Sequence, residues 1–198
     1  MKRFFDLIFT VQGIVILLPF FIIIAVLVKL DSPGPVFYLQ ERVGKNGRIF
    51  KIYKFRTMIN DADKIGPAIT VGDDPRITRW GYVFRKHKLD ELPQLINVLK
   101  GEMSLVGPRP EVPKYVDMYS KDQMAVLNLL PGITDPASIK YRTENELLAA
   151  TRAEGVDVDP EWIYVNEIMP DKIKINLEYA TKANILSDFV VIMKTILG

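Results

Sequence analysis

Residues 7–30 read LIFTVQGIVILLPFFIIIAVLVKL, an apolar run broken only by Thr10, Gln12, Gly13, Pro19 and Lys29. As a helix, these two dozen or so residues would reach roughly 35 Å, enough to cross the hydrocarbon core of a bilayer. The run is too long for the apolar segment of a cleavable signal peptide, and no small-x-small cleavage pattern follows it. Two features complicate a plain span. Pro19 lies mid-segment, where it removes a backbone donor and crowds the carbonyl of Val15, so an interruption is expected at Leu18 and Pro19. Each half would then be only about 18 Å long, too short to cross alone. The flanks also share one sign, with Lys2 and Arg3 ahead of the run and Lys29 and a basic stretch beyond it, so the positive-inside rule selects neither orientation. A re-entrant helix-break-helix, entering and leaving by one face, satisfies both observations and is favoured. A proline-kinked transmembrane helix, the commoner object, is the alternative.

Composition narrows the chemistry. The 198 residues include no cysteine and one histidine, His87, which excludes disulfides, zinc clusters and Ser-His or Cys-His nucleophile systems. Catalysis must run on carboxylates, lysines and arginines, with or without a hard cation. A net charge of +2 is too small to indicate nucleic acid. Arg42, Lys45, Arg48, Lys51, Lys54 and Arg56 nevertheless crowd one stretch, which suits phosphates or anionic lipid as well as it suits a solvated strand face.

Asp31-Ser32-Pro33-Gly34-Pro35 is a breaker cluster that closes the anchor, so the chain divides into an anchor over 1–33 and a catalytic domain over 34–198. Val36 to Val43 and Arg48 to Arg56 carry β-branched and aromatic residues around Lys45-Asn46-Gly47, which predicts a small hairpin. Within the second strand Phe50, Ile52, Lys54 and Arg56 share a face, which aims Lys54 and Arg56 the same way. Residues 60–75 read as a loop and Ile77 to Lys88 as a short helix. Leu92 to Lys100, with Pro93 in its first turn and Gly101 after it, is a well-punctuated helix. Glu111 to Leu130, Glu144 to Glu154 and Asp188 to Leu197 have helical spacing, the last being apolar around most of its circumference. The fold class is α-rich (α+β): a membrane anchor followed by a compact helical domain with a small β-hairpin.

Asp90 and Glu91 stand just before the Pro93 helix. Acidic residues there commonly cap a helix and offset its dipole, and on spacing alone that role is the more frequent one. Their company changes the balance. Arg85 lies about a turn upstream, Lys54 and Arg56 come from the basic strand, and Arg109 is held between Pro108 and Pro110. An arginine fixed by prolines suits bidentate binding of phosphate, although a structural partner such as Glu102 is as easily written. Two carboxylates among several cations indicate phosphoryl chemistry: they can hold Mg²⁺ or attack phosphorus while the cations neutralise the transferring group.

Lys54-Phe55-Arg56-Thr57-Met58, Lys88-Leu89-Asp90-Glu91-Leu92-Pro93-Gln94, residues 97–104 and Val106-Gly107-Pro108-Arg109-Pro110 resemble the bacterial sugar transferase family, more narrowly its small monotopic phosphoglycosyl transferases of the PglC type. The resemblance implies a re-entrant anchor broken at Leu18-Pro19 and a domain on the cytoplasmic face of the bacterial inner membrane, with interfacial helices. It implies transfer of a phospho-sugar from a UDP-sugar to polyprenyl (undecaprenyl) phosphate, with release of UMP. On matching positions, Asp90 would be the nucleophile and Glu91 would coordinate Mg²⁺, with Asp90 beside the metal. Lys54, Arg56, Arg85, Arg109 and Arg142 would hold phosphate groups. The chain departs from the family at Leu18, where Ser is frequent, at Asp135, where Gly is common, and at Asn176, where Asp is common; Thr143 to Pro170 is longer than in the smallest members. An apolar membrane helix also makes a homodimer accessible. Two other functions compete: a non-catalytic membrane scaffold for glycan-assembly enzymes, which loss of the dyad would favour, and a phosphohydrolase, which would want a water-activating base or a second carboxylate cluster.

Overall fold

The computed structural model describes residues 1–65, 74–143 and 159–197. The apolar run forms one helix, Lys2–Asp31, with Pro19 inside it, so the interruption expected at Leu18 and Pro19 does not end the helix. Proline removes a single donor, and the bonds on either side carry the helix through. At 30 residues it is about 45 Å long.

Both ends of this helix dock on the rest of the protein while its middle stays bare. Asp6, Thr10, Ile24 and Val28 are its buried residues. Asp6 and Ile24 are five full turns apart, which puts the buried positions on one side. At the first end Asp6 accepts from Ser104 Oγ at 2.8 Å and Leu105 N at 3.2 Å, and Lys2 pairs with buried Asp188. Arg3 donates to the carbonyls of Val98 and Leu99. At the other end Asp31 accepts from Trp80 N at 2.9 Å, and Ile24 and Val28 pack with Phe55 and Phe84. Between them Val15, Ile16, Leu18, Phe20, Ile22 and Ile23 are all exposed. Among the described residues this is the one helix long and apolar enough to cross a membrane.

The hairpin forms as the sequence predicts. Strands β1 (Phe37–Val43) and β2 (Ile49–Phe55) pair antiparallel, with Phe37 opposite Phe55 and Val43 opposite Ile49. Asn46 at φ 58° and Gly47 at φ 74° supply the left-handed backbone of the turn. The punctuated helix begins later than expected: Leu89–Gln94, including Pro93, is a 3₁₀ turn, and the α-helix is Leu95–Lys100, ended by Gly101 at φ 82°.

Two strands have no counterpart in the sequence reading. β3 (Ser104–Val106) and β4 (Gly132–Thr134) run parallel, Ser104 beside Gly132 and Val106 beside Thr134. The backbones approach so closely that a Cβ on Gly132 would lie 2.1 Å from the nitrogen of Gly107. The helix expected over Glu111 to Leu130 is reduced to a turn at Pro113–Val116 and a 3₁₀ segment, Gln123–Asn128. Ser120 and Gln123 exchange side-chain-to-backbone bonds between these pieces, and such local bonds compete with a helix ladder. Tyr115 and Val126 still bury themselves there, against a helical stretch the sequence reading left out: Pro160–Ile163, a π turn at Tyr164–Ile168, and Met169–Ala180. The last helix is Ile185–Leu197. The helix expected over Glu144 to Glu154 lies outside the described residues.

Candidate active site

Asp90 and Glu91 occupy the 3₁₀ turn that packs on β2. Lys88 enters this turn with φ 54°, a left-handed conformation uncommon outside glycine and asparagine. The two carboxylates, adjacent in sequence, have opposite surroundings. Glu91 Oε1 accepts from Lys54 Nζ at 3.1 Å, Oε2 accepts from Arg109 Nη1 at 3.0 Å, and Arg109 Nη2 also donates to Oε1. Burial alone would raise the Glu91 pKa, but Arg109 and Lys54 outweigh it and hold the group well below the usual carboxylate range.

Asp90 is 8% exposed, and no described residue donates a hydrogen bond to its carboxylate. Burial, with the neighbouring Glu91 charge, pushes its pKa up to about 6 against the pull of Lys54, Arg85 and Arg109. The result is an ionisable carboxylate ringed by cations but bound to none of them. Lys54 is set by β2, whose period-2 alternation buries Ile52 and turns Lys54 toward the dyad. Arg85 comes from the helix Arg79–Lys86, capped by Thr78, and its Nε donates to Thr57 Oγ1 at 2.9 Å. That helix lies hard against the exit of β2, since a Cβ on Gly81 would lie 2.1 Å from the Thr57 carbonyl oxygen.

Of the expected site residues, Lys54, Arg85 and Arg109 gather around Asp90 and Glu91. Arg56 does not. Its guanidinium donates to the carbonyls of Ser32 and Pro33, both at 2.6 Å, and to Asn60 Oδ1 at 2.8 Å, binding the end of the anchor helix. It lies one residue past β2, where the strand's alternation no longer dictates direction. Arg142 donates to the carbonyls of Lys194 and Thr195 at the close of the last helix, near enough to Lys88 to lower that group's pKa, burial being the larger cause. Arg109 takes Glu91 rather than Glu102, which pairs with Lys100 and accepts from Asn97. Arg42 was not singled out by the sequence. It donates to the Pro110 carbonyl at 3.0 Å and faces Glu111 at 3.8 Å, so it steadies the Arg109 turn from β1. Its membership of the basic run was the available signal.

Among the described residues no three His, Asp or Glu side chains gather as a metal cage. Asp90 and Glu91 alone supply hard oxygens, a donor set that suits Mg²⁺ held by one or two carboxylates and completed by phosphates and water.

The sequence profile of the bacterial sugar transferase family matches residues 1–198. An Aeromonas hydrophila UDP-N-acetylgalactosamine-undecaprenyl-phosphate N-acetylgalactosaminephosphotransferase is 49% identical over 121 residues, 61% of this chain and 29% of that protein. The exopolysaccharide production protein ExoY of Sinorhizobium fredii is 34% identical over 210 residues, 98% of this chain and 83% of that protein. The undecaprenyl-phosphate glucose phosphotransferase of Komagataeibacter xylinus is 37% identical over 202 residues, 98% of this chain and 35% of that protein. The match therefore spans most of ExoY and about a third of the other two.

Proposed function

The chain belongs to the bacterial sugar transferase family, and on that premise we propose that it transfers a phospho-sugar from a UDP-sugar to polyprenyl (undecaprenyl) phosphate through a covalent intermediate on Asp90. The observation that carries this is the contrast between the two carboxylates: Glu91 is held by Lys54 and Arg109, whereas buried Asp90 receives no hydrogen bond from the described residues. A carboxylate without donors keeps its lone pairs for attack.

In the first step an Asp90 oxygen attacks the phosphorus that bears the sugar. The bond from that phosphorus to the bridging oxygen breaks, and UMP leaves with the bridging oxygen. In the second step a phosphate oxygen of the polyprenyl acceptor attacks the same phosphorus, the bond to Asp90 breaks, and the carboxylate is regenerated. Both nucleophiles are anions at neutral pH, so neither step needs a histidine base. Arg85, Lys54 and Arg109 lie where the negative charge of the transferring group develops, and electrostatic stabilisation of this kind dominates phosphoryl transfer. Asp90 and Glu91 would hold Mg²⁺, which, when bound, neutralises the charge on the diphosphate.

The anchor is read as re-entrant, with the domain on the cytoplasmic face of the inner membrane. Arg3 and Asp31, at opposite ends of the helix, bond to one folded body. A body seated on one face of a bilayer reaches both ends only if the anchor does not pass through to the other side. The test of the reaction is intact-mass analysis after incubation with Mg²⁺ and a panel of UDP-sugars without acceptor: a sugar-phosphate adduct on Asp90, discharged by polyprenyl phosphate, is expected. UMP release with no adduct at any time would replace the two-step scheme by direct transfer.

A further inference from the structure

The last helix, Ile185–Leu197, is tied down near both ends and leaves an apolar stripe uncovered between them. Near its start the buried Asp188 pairs with Lys2, at the mouth of the apolar anchor, and accepts from the Tyr179 hydroxyl at 2.8 Å. Near its end the Thr195 hydroxyl bonds the Thr134 hydroxyl at 2.6 Å. Thr134 closes β4, and its carbonyl accepts from Gly107 N at 3.0 Å, two residues ahead of Arg109. The helix therefore runs from the anchor to the strand pair that carries the Arg109 turn.

Along it Phe189, Val190, Met193 and Leu197 recur at helical spacing and line a groove of about 390 Å³ with Ile139, from the helix Pro136–Lys140. Phe189, Val190 and Leu197 are all exposed. Cations stand at the end nearer the Arg109 turn. Lys194 lines the groove, and Arg142 donates through Nη2 to the carbonyls of Lys194 and Thr195. The Lys194 ammonium and the Nε and Nη1 of Arg142 have no partner among the described residues.

The groove thus asks for hydrocarbon along its length and an anion at one end. A UDP-sugar has no hydrocarbon to offer. A lipid leaflet, lying flat, would cover the outer turns of the helix without entering a groove walled by Ile139. One isoprenoid chain ending in a phosphate meets both demands. We propose that this groove seats the prenyl units next to the phosphate of the acceptor, which enters from the lipid beside Lys2 while Arg142 and Lys194 draw its phosphate toward the Arg109 turn. Its volume takes a short stretch of chain, and the remainder stays in the bilayer. The proposal rests on the transferase function above.

The test uses the full-length protein in detergent micelles with undecaprenyl phosphate, comparing the wild type with Val190→Trp and Phe189→Ser. Both positions are exposed, so folding is preserved. Val190→Trp fills the groove without making it polar, whereas Phe189→Ser strips hydrocarbon from its wall. Each is expected to raise KM for undecaprenyl phosphate about fivefold or more, with KM for the UDP-sugar within about twofold. An unchanged acceptor KM in Val190→Trp would overturn the proposal and give the stripe to the bilayer surface. A rise in KM for the UDP-sugar alone would overturn it too, by giving the groove to the donor. Sedimentation that shows a dimer split by either variant would assign the stripe to a second copy. A wild type that releases no UMP from any UDP-sugar would remove the transferase function itself, a result distinct from these.

Discussion

Arg109 donates from both terminal nitrogens to the two oxygens of Glu91, and in doing so leaves the adjacent Asp90 alone. A bidentate pair fixes orientation as well as charge. Glu91 therefore acts as the clamp that places Arg109 and Lys54 beside Asp90.

Asp90→Asn is expected to abolish UMP release and at the same time raise the melting temperature by a few degrees at pH 8. Folding lifts the Asp90 pKa from 3.8 to about 6, so the ionised form that reacts is also the form the fold disfavours. Stability of the wild type should accordingly rise as pH falls through about 6, while kcat/KM falls over the same range. Thermal melts and pH–rate profiles check both signs. Parallel loss of activity and stability would assign Asp90 to structure.

Glu91→Gln should behave in the opposite sense. It strands Lys54 and Arg109 without their shared anion, and removing one member of a mostly buried pair costs about 2–4 kcal/mol, the lower figure reflecting the part-exposed Arg109. The wild-type contribution is present above 4.5, the ordinary value for glutamate, and is lost as pH falls below it. Urea denaturation at two pH values would read it.

Arg109→Ala should lower kcat by tenfold or more, whereas Arg56→Ala should leave KM for the donor within about twofold and instead loosen the anchor. Arg56 holds carbonyls at the end of the Lys2–Asp31 helix and touches neither carboxylate. Limited proteolysis near residue 34 in detergent would detect the loosening. A donor KM raised tenfold by Arg56→Ala would return Arg56 to the site.

Gly81→Ala forces a methyl to within 2.1 Å of the Thr57 carbonyl oxygen, so the helix bearing Arg85 must move off β2. A loss of kcat without a comparable rise in KM is expected, since Arg85 would then miss the transferring group.

Single cysteines at Phe4 and Pro35, both exposed and free of the end-locking bonds, fit a chain with no cysteine of its own. Both should label only from the cytoplasmic side in intact cells. Labelling of either from outside would exclude a re-entrant anchor.

The hairpin and the dyad turn were legible because local chemistry decides them. Asn46-Gly47 wants left-handed backbone, alternation sets which face Ile52 buries, and Gly101 can end only one helix. Distance in sequence hid the rest. The β3–β4 pairing joins Ser104 to Gly132, and nothing within either tripeptide announces the other. Glu111 to Leu130 has helical spacing, yet its apolar residues join one cluster with Ile168, Met169 and Ile173 from a distant part of the chain. Arg56 and Arg109 looked alike as cations; only the carbonyls beside one and the carboxylate beside the other distinguish them. Asn176 stands where an Asp is common, and only the folded chain shows that it is buried on the helix Met169–Ala180.

The two-ended docking of the first helix has a mechanical consequence. With Arg3 tied to Val98 and Asp31 to Trp80, the helix cannot tilt independently of the domain. Tilting is the usual way a membrane helix adapts to a bilayer thicker or thinner than itself. Denied that freedom, an anchor that enters and leaves by one face holds Asp90 at a fixed height above that face, whatever lies in the opposite leaflet. Reconstituted in bilayers of graded acyl length, the protein should therefore keep a nearly constant rate, and a sharp optimum at one thickness would indicate a helix that crosses.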